Sequence, residues 1–142
     1  SIVGDGPELL RLEQLSSDLG TSQNIEFMGQ RSDVSAILGK SKLFVLTSRS
    51  ESVSIAMLEA MAMKTVPIVT QVGDLSDFVD DGVSGYMIPV GDSSALAEKI
   101  KKLLGEPAHL ESLAIAGSDE VLERCTRQQI ATYWVRLLNE IR

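Results

Sequence analysis

The sequence predicts a parallel α/β sheet. Apolar runs of strand length alternate with stretches of helical periodicity along the 142 residues. Leu43-Phe44-Val45-Leu46 and Val66-Pro67-Ile68-Val69 are apolar at every position, as strands are when both faces are covered. The segments between the runs are polar and rich in Gly, Asp and Ser, residues suited to turns and helix caps.

Each element follows in order. Ile2-Val3 is a short strand, and Gly4-Asp5-Gly6-Pro7 is a tight turn in which Pro7 starts a helix. Leu9, Leu10, Leu12, Leu15 and Leu19 form that helix's apolar stripe, which Gly20 ends. Ile25 to Met28 is the next strand, and Ser32 or Asp33 caps a short helix running to Leu38. The strand Leu43 to Leu46 leads through the polar loop 47–52 into a helix from about Ser54 to Met63. The strand Val66 to Val69 precedes a loop, 73–81, holding a short helix with Phe78 and Val79. Asp81-Gly82 turns the chain into Tyr86 to Pro89, and Ser93 or Ser94 caps a helix carrying Leu96, Ala97, Ile100, Leu103 and Leu104. Two further helices are expected at about 107–123 and 126–141. The rhythm is five strands, each followed by a helix or a helical turn. In such sheets ligands bind at the carboxyl ends of the strands, here the loops 4–7, 29–33, 47–53 and 70–77.

Composition narrows the chemistry. Thirteen basic against twenty acidic residues give a net charge of −7, which disfavours nonspecific binding to nucleic acid or anionic lipid. From Asp74 to Asp92 there are five acids and no Lys or Arg, so an anionic ligand must be met by helix N-termini or by groups outside the chain. Cys125 is the single cysteine, which excludes an internal disulfide and a cysteine zinc site. The single histidine, His109, is expected in solvent on a late helix. Tyr133 and Trp134 read as packing residues. Gly4-x-Gly6-x-x-Leu9 lacks the third glycine of a dinucleotide fingerprint, and no acid ends the following strand, which argues against an NAD site.

The most informative segment runs from Ser48 to Ala62. The helix from Ser54 is apolar on every face apart from Ser54 and Glu59, which predicts burial. A buried carboxylate is costly unless hydrogen-bonded. Glu59 therefore either bonds a backbone amide or Arg, or is held to accept hydrogen bonds from a ligand's hydroxyls. It is expected to point into a cleft, largely buried, within reach of Glu51's loop. Glu51, before the same helix, either complements the helix dipole or serves a ligand.

The two acids, with seven residues between them across a strand–loop–helix junction, resemble the donor-binding domain of the family-4 glycosyltransferases, retaining enzymes built of two facing Rossmann-like domains (the GT-B fold). Ile2 to Pro7 is similar to the family's IVGxGP turn, Ile25 to Gly29 to its second strand and glycine, and Leu43 to Ser48 to its lfvxPS strand, with Thr47 for Pro. Glu51 to Ala62, Val66 to Val69, Asp81-Gly82 with Gly85, and Asp92 to Ile100 match four further motifs in order. The resemblance covers nearly the whole chain. It implies a Rossmann-like parallel sheet with helices on both faces, lacking its first strand and helix. Residues 1–142 would be the donor domain of a longer two-domain cytoplasmic enzyme of polysaccharide biosynthesis.

The resemblance also implies roles. Glu51 would contact hydroxyls of the donor sugar at the catalytic centre. The backbone amides of Ser52, Val53, Ser54 and Ile55 would face the sugar and diphosphate, an anion site on physical grounds as well. Glu59 would accept both ribose hydroxyls, the backbone of Gln30 and Arg31 would meet the base edge, and Gly4 and Gly6 would line the nucleotide cleft. The substrate would be a nucleotide-diphosphate sugar, with no cofactor and no metal. The partner would be an N-terminal acceptor domain of the same protein, not nucleic acid, and the full-length enzyme could associate peripherally with membranes. The chain alone is expected to be inactive.

Val53 stands where Phe is usual and Ser54 where Gly is common; Lys64 occupies a position suited to a glycine with positive φ. These departures keep open a glycosyltransferase-like binding or scaffold module without activity. A flavodoxin-like regulatory domain, which would not require Glu59, is a third reading. A missing central strand would leave Ile2-Val3 and Leu43 to Leu46 each with one unpaired edge, unless the two strands pair directly with each other or another molecule supplies the strand.

Overall fold

The structure, a computed structural model, describes residues 1–132. The expected helix at 126–141 is helical over 127–132, and its remainder, with Tyr133 and Trp134, lies outside the described residues. The chain divides into two compact units, Ser1–Val34 and the residues from Ser35 onward. The five parallel strands are shared between them as two separate sheets.

The first unit holds β1 (Ile2–Val3), α1 (Leu9–Asp18) and β2 (Phe27–Gly29). β1 and β2 pair in parallel, and the Gly4 amide extends the pairing by donating to the Gly29 carbonyl at 2.8 Å. Gly4 does so at φ +133°, which glycine alone adopts without strain. Helix α1 begins at Leu9 behind Glu8, so Pro7 sits in the preceding turn and not in the helix's first turn. The leucine stripe of α1 has little cover. Leu10 is 78% exposed, and the one buried residue of the helix is Ser16, whose hydroxyl lies 3.3 Å from that of Thr21.

The second unit holds α2 from its second residue (Val34–Leu38), β3 (Leu43–Leu46), α3 (Ile55–Ala62), β4 (Val66–Thr70), β5 (Tyr86–Ile88), α4 (Ser93–Gly105) and α5 (Pro107–Arg124). Its sheet has the order β3-β4-β5, and all of β4 is buried. The two faces of β4 enter different cores, as period-two alternation requires. Val69 packs with Met57 and Met61 of α3 and with Leu75, Val79 and Val121. Val66 and Ile68 pack with Tyr86, Ile88, Leu103 of α4 and Leu113 of α5. Helices thus cover both faces of this sheet.

Proline in a central strand would normally break a ladder. The Val66 amide donates to the Lys42 carbonyl, just ahead of β3, so by alternation Pro67 presents its nitrogen toward β5. That ladder starts one residue later, at Ile68 opposite Tyr86. The missing donor therefore costs no strand bond.

Caps account for the remaining boundaries. Ser54 at φ −84° accepts the Met57 amide and starts α3, so the position needs no glycine. Helix α4 is capped by Asp92, whose carboxylate accepts the Ala95 amide at 2.8 Å, and not by Ser93 or Ser94. Phe78 closes the 3-10 turn Gly73–Asp77 and is not inside a helix. Lys64, between α3 and β4, is the one non-glycine residue with positive φ, +60°, among the described residues. That conformation costs a residue with Cβ about 1–2 kcal/mol, partly offset in glycine by its own entropy loss. Lys64→Gly is therefore expected to raise the unfolding free energy by about 0.5–1 kcal/mol. A urea midpoint unchanged or lowered would show that the lysine's conformation is unstrained.

Neither β1 nor β3 has a partner on its second edge among the described residues. This agrees with the expected open edges, and the two strands do not pair with each other.

Candidate functional site

The site candidates fall in both units. Gly4, Gly6, Gln30 and Arg31 belong to the first. The Gly6 amide donates to its neighbour Asp5 at 2.7 Å, which fixes the turn after β1. Gln30 and Arg31 are exposed just past β2. Arg31 forks onto Asp33 with two bonds of 2.8 Å, and the hydrogen bond and charge of Asp33 raise its pKa above the usual guanidinium value. With that side chain so engaged, what Arg31 offers a planar ligand is its backbone.

Glu51, Ser52, Val53, Ser54, Ile55 and Glu59 belong to the second unit. β3 delivers the chain at Leu46 into an irregular loop, which ends at the Ser54 cap. Glu51 is half-buried in that loop, and its Oε1 accepts the Ser48 hydroxyl at 2.7 Å. The Ser54 hydroxyl takes only the Met57 amide, so the first amides of α3 are left for water or a ligand. The junction thus places a tethered carboxylate three residues before an open, eight-residue helix N-terminus. Such an end attracts anions.

Glu59 departs from the expectation of burial. Helix α3 buries Met57, Ala60 and Met61, and Glu59 is exposed, as are Ile55 and Met63 one turn away on either side. The helix is one-sided, although its composition is apolar all round. A solvated carboxylate requires no partner, so the desolvation argument for a ligand role fails here. A ribose contact by Glu59 therefore rests on the family resemblance alone.

The loop of Glu51 is braced by residues far off in sequence. Thr70, at the end of β4, is buried and donates its hydroxyl to the Ser48 carbonyl at 2.6 Å. Gly73, at φ +55°, lies so close that an added Cβ would stand 1.9 Å from the Glu51 carbonyl oxygen. Neither residue was singled out from the sequence for this role. The available signal was a glycine soon after a buried strand, in a loop at the ligand-binding end of the sheet.

A cavity of about 290 Å³ opens at the carboxyl ends of β3, β4 and β5, lined by Thr47, Arg49, Thr70, Ile88, Pro89 and Leu96 among others. None of the candidate site residues lines it, and its β5 side lies outside the four expected loops. His109, expected in solvent, is half-buried with Nε2 3.0 Å from the Tyr86 hydroxyl. Cys125 is partly buried against the α3 core, as its residue type suggests. Among the described residues no cluster of His, Cys, Asp or Glu is placed to hold a metal ion, and no helix is long and apolar enough to cross a membrane.

A family model described as glycosyl transferases group 1 matches residues 1–120. N-acetyl-alpha-D-glucosaminyl L-malate synthase of Bacillus anthracis is 29% identical over 140 residues, covering 99% of this chain and 37% of that protein. The lipopolysaccharide core biosynthesis glycosyltransferase LpsE of Rhizobium meliloti is 28% identical over 137 residues, covering 96% of this chain and 40% of that protein. Among solved structures, sucrose-phosphate synthase from Thermosynechococcus elongatus superposes with a TM-score of 0.87 at 26% identity, over 98% of this chain and 37% of that one. HepE of Anabaena, solved in complex with UDP, shares the fold with a TM-score of 0.91 at 23% identity, over 97% of this chain and 40% of that one. The chain thus spans about two-fifths of the length of these proteins.

Proposed function

The chain belongs to the group 1 glycosyl transferases, and from that premise we propose that it is the donor-binding half of a retaining, metal-independent GT-B enzyme using a nucleotide-diphosphate sugar. The observation that carries the reading is the β3–α3 junction. Ser48 fixes the Glu51 carboxylate just before a helix N-terminus with open amides. The diphosphate would take the amides around Ser52 to Ile55, and Glu51 would accept hydroxyls of the sugar. Charge developing on the leaving diphosphate would meet the same amides, a preorganised dipole aimed where negative charge grows. The backbone of Gln30 and Arg31 would read the base, with Gly4 and Gly6 allowing close approach of the nucleotide. Glu59 would meet the ribose from an exposed position. The acceptor would come from an N-terminal domain of the same protein, since transfer needs both substrates held together.

The relatives lend support of the same kind. One carries a glucosaminyl synthase name, one a role in lipopolysaccharide core biosynthesis, and a structural neighbour was solved with UDP. Calorimetry of the chain with UDP, ADP and GDP tests the donor reading. One of the three is expected to bind, and Glu59→Ala to weaken it about tenfold, the effect of losing hydrogen bonds to a charged acceptor. Undiminished binding by Glu59→Ala would remove the ribose role while leaving the rest. Absence of binding by all three would overturn the donor site itself.

A further inference from the structure

We propose that Ser48, Thr70 and Gly73 are positioning residues that hold Glu51 ready for the donor sugar; the inference rests on the donor-site reading above. The backbone ladder between β3 and β4 ends at Leu46 opposite Val69. One residue on, the Thr70 hydroxyl carries the connection further, donating to the Ser48 carbonyl at 2.6 Å with the Leu46 carbonyl at 3.5 Å. Thr70 is 1% exposed, and its bond to Ser48 fixes the exit of β3 to the exit of β4. Ser48, held by its carbonyl, turns its hydroxyl onto Glu51 Oε1 at 2.7 Å, a charge-assisted bond. From the other side the Gly73 backbone lies against the Glu51 carbonyl at a distance no side chain would allow.

Glu51 is therefore fixed at its carboxylate by Ser48 and at its backbone by Gly73, and both supports come back to β4 and the turn that follows it. Oε1 is engaged, and Oε2 is left for a ligand's hydroxyl. A flexible glutamate would have to be ordered at each binding event, whereas one held in advance loses less on binding. A valine at 70 would fill the same buried volume without the hydroxyl, so the bond and the packing can be separated.

The test is calorimetry of the chain with UDP, UDP-glucose and UDP-N-acetylglucosamine, taking the sugar's contribution as the affinity ratio of the better nucleotide sugar to UDP. Glu51→Ala is expected to bring that ratio to about one. Ser48→Ala and Thr70→Val should each cut it roughly fivefold, the worth of one hydrogen bond, and leave UDP affinity unchanged, which a general loosening of the fold would not. Thr70→Ser, which restores the hydroxyl, should restore the ratio. Ser48→Ala removes only a loop hydroxyl and carries the test if Thr70→Val fails to fold. A ratio abolished by Glu51→Ala but untouched by Ser48→Ala and Thr70→Val would overturn the positioning role alone. A ratio untouched by Glu51→Ala, or absent in the unaltered chain, would overturn the Glu51 assignment and the positioning role with it.

Discussion

Gly85→Ala is expected to lower the unfolding free energy by about 3 kcal/mol, at the upper end of overpacking costs. Gly85 precedes β5 and is buried beside Pro67, the residue that presents its nitrogen toward β5. A Cβ there would stand 2.6 Å from Pro67 Cγ, 2.7 Å from its carbonyl oxygen and 3.0 Å from Val79 Cγ1. The proline ring is rigid and its carbonyl belongs to the central strand, so neither yields cheaply. The strain must instead separate β5 from β4, opening the core of Ile68, Tyr86 and Ile88. Urea denaturation checks this by the midpoint at constant slope. Gly105→Ala, where an added Cβ meets nothing within 4 Å, supplies the control and should be neutral or stabilising. Equal midpoints for the two variants would mean that Gly85 and Pro67 are less closely packed than described.

The second large effect is expected at Gly73, where sterics and backbone act together. Gly73→Ala places a Cβ 1.9 Å from the Glu51 carbonyl oxygen in a residue held at φ +55°. The positive φ alone costs an alanine about 1–2 kcal/mol, and the clash cannot be relieved without moving the 73–77 turn or the 48–52 loop. A loss of about 2–3 kcal/mol is expected, with amide resonances of Ser48 to Ser54 displaced more than those of α4 and α5. Unmoved resonances in that loop, with unaltered stability, would show that the turn gives way and that Glu51 is not held from this side.

These glycines show where sequence reasoning reached and where it stopped. The strand and helix positions of β3, α3, β4 and α4 were readable because apolar runs and periodicity are local, and the positive φ at Lys64 followed from the family resemblance, in which a glycine is usual there. The pattern around Gly85 was recognised as a motif, but its tight fit against Pro67 is a contact between segments that pattern alone does not measure. Thr70 was missed as a brace because a threonine ending a buried strand looks like any other β-branched residue until its hydroxyl is seen on the Ser48 carbonyl. Glu59 was misjudged for a related reason. An apolar helix composition gives the amount of greasy surface but not which side is covered, and α3 leaves Ile55 at 72% exposure. His109 found Tyr86 by the return of α5 along the sheet, a tertiary event with no sequence signature.

The open edge of β3 bears on the behaviour of the chain at high concentration. Among the described residues no strand pairs with its second side over Leu43–Leu46, and Val45 is exposed beside it. An edge of that kind can recruit a strand from another copy and seed aggregation. Lys40 and Lys42 stand immediately ahead of it, and both are exposed. Flanking charges of one sign act as gatekeepers, since each strand added in parallel register would stack lysine on lysine at the strand spacing of about 4.8 Å. The two lysines thereby make the edge tolerant of a partner strand that brings no like charge and repellent toward its own copies.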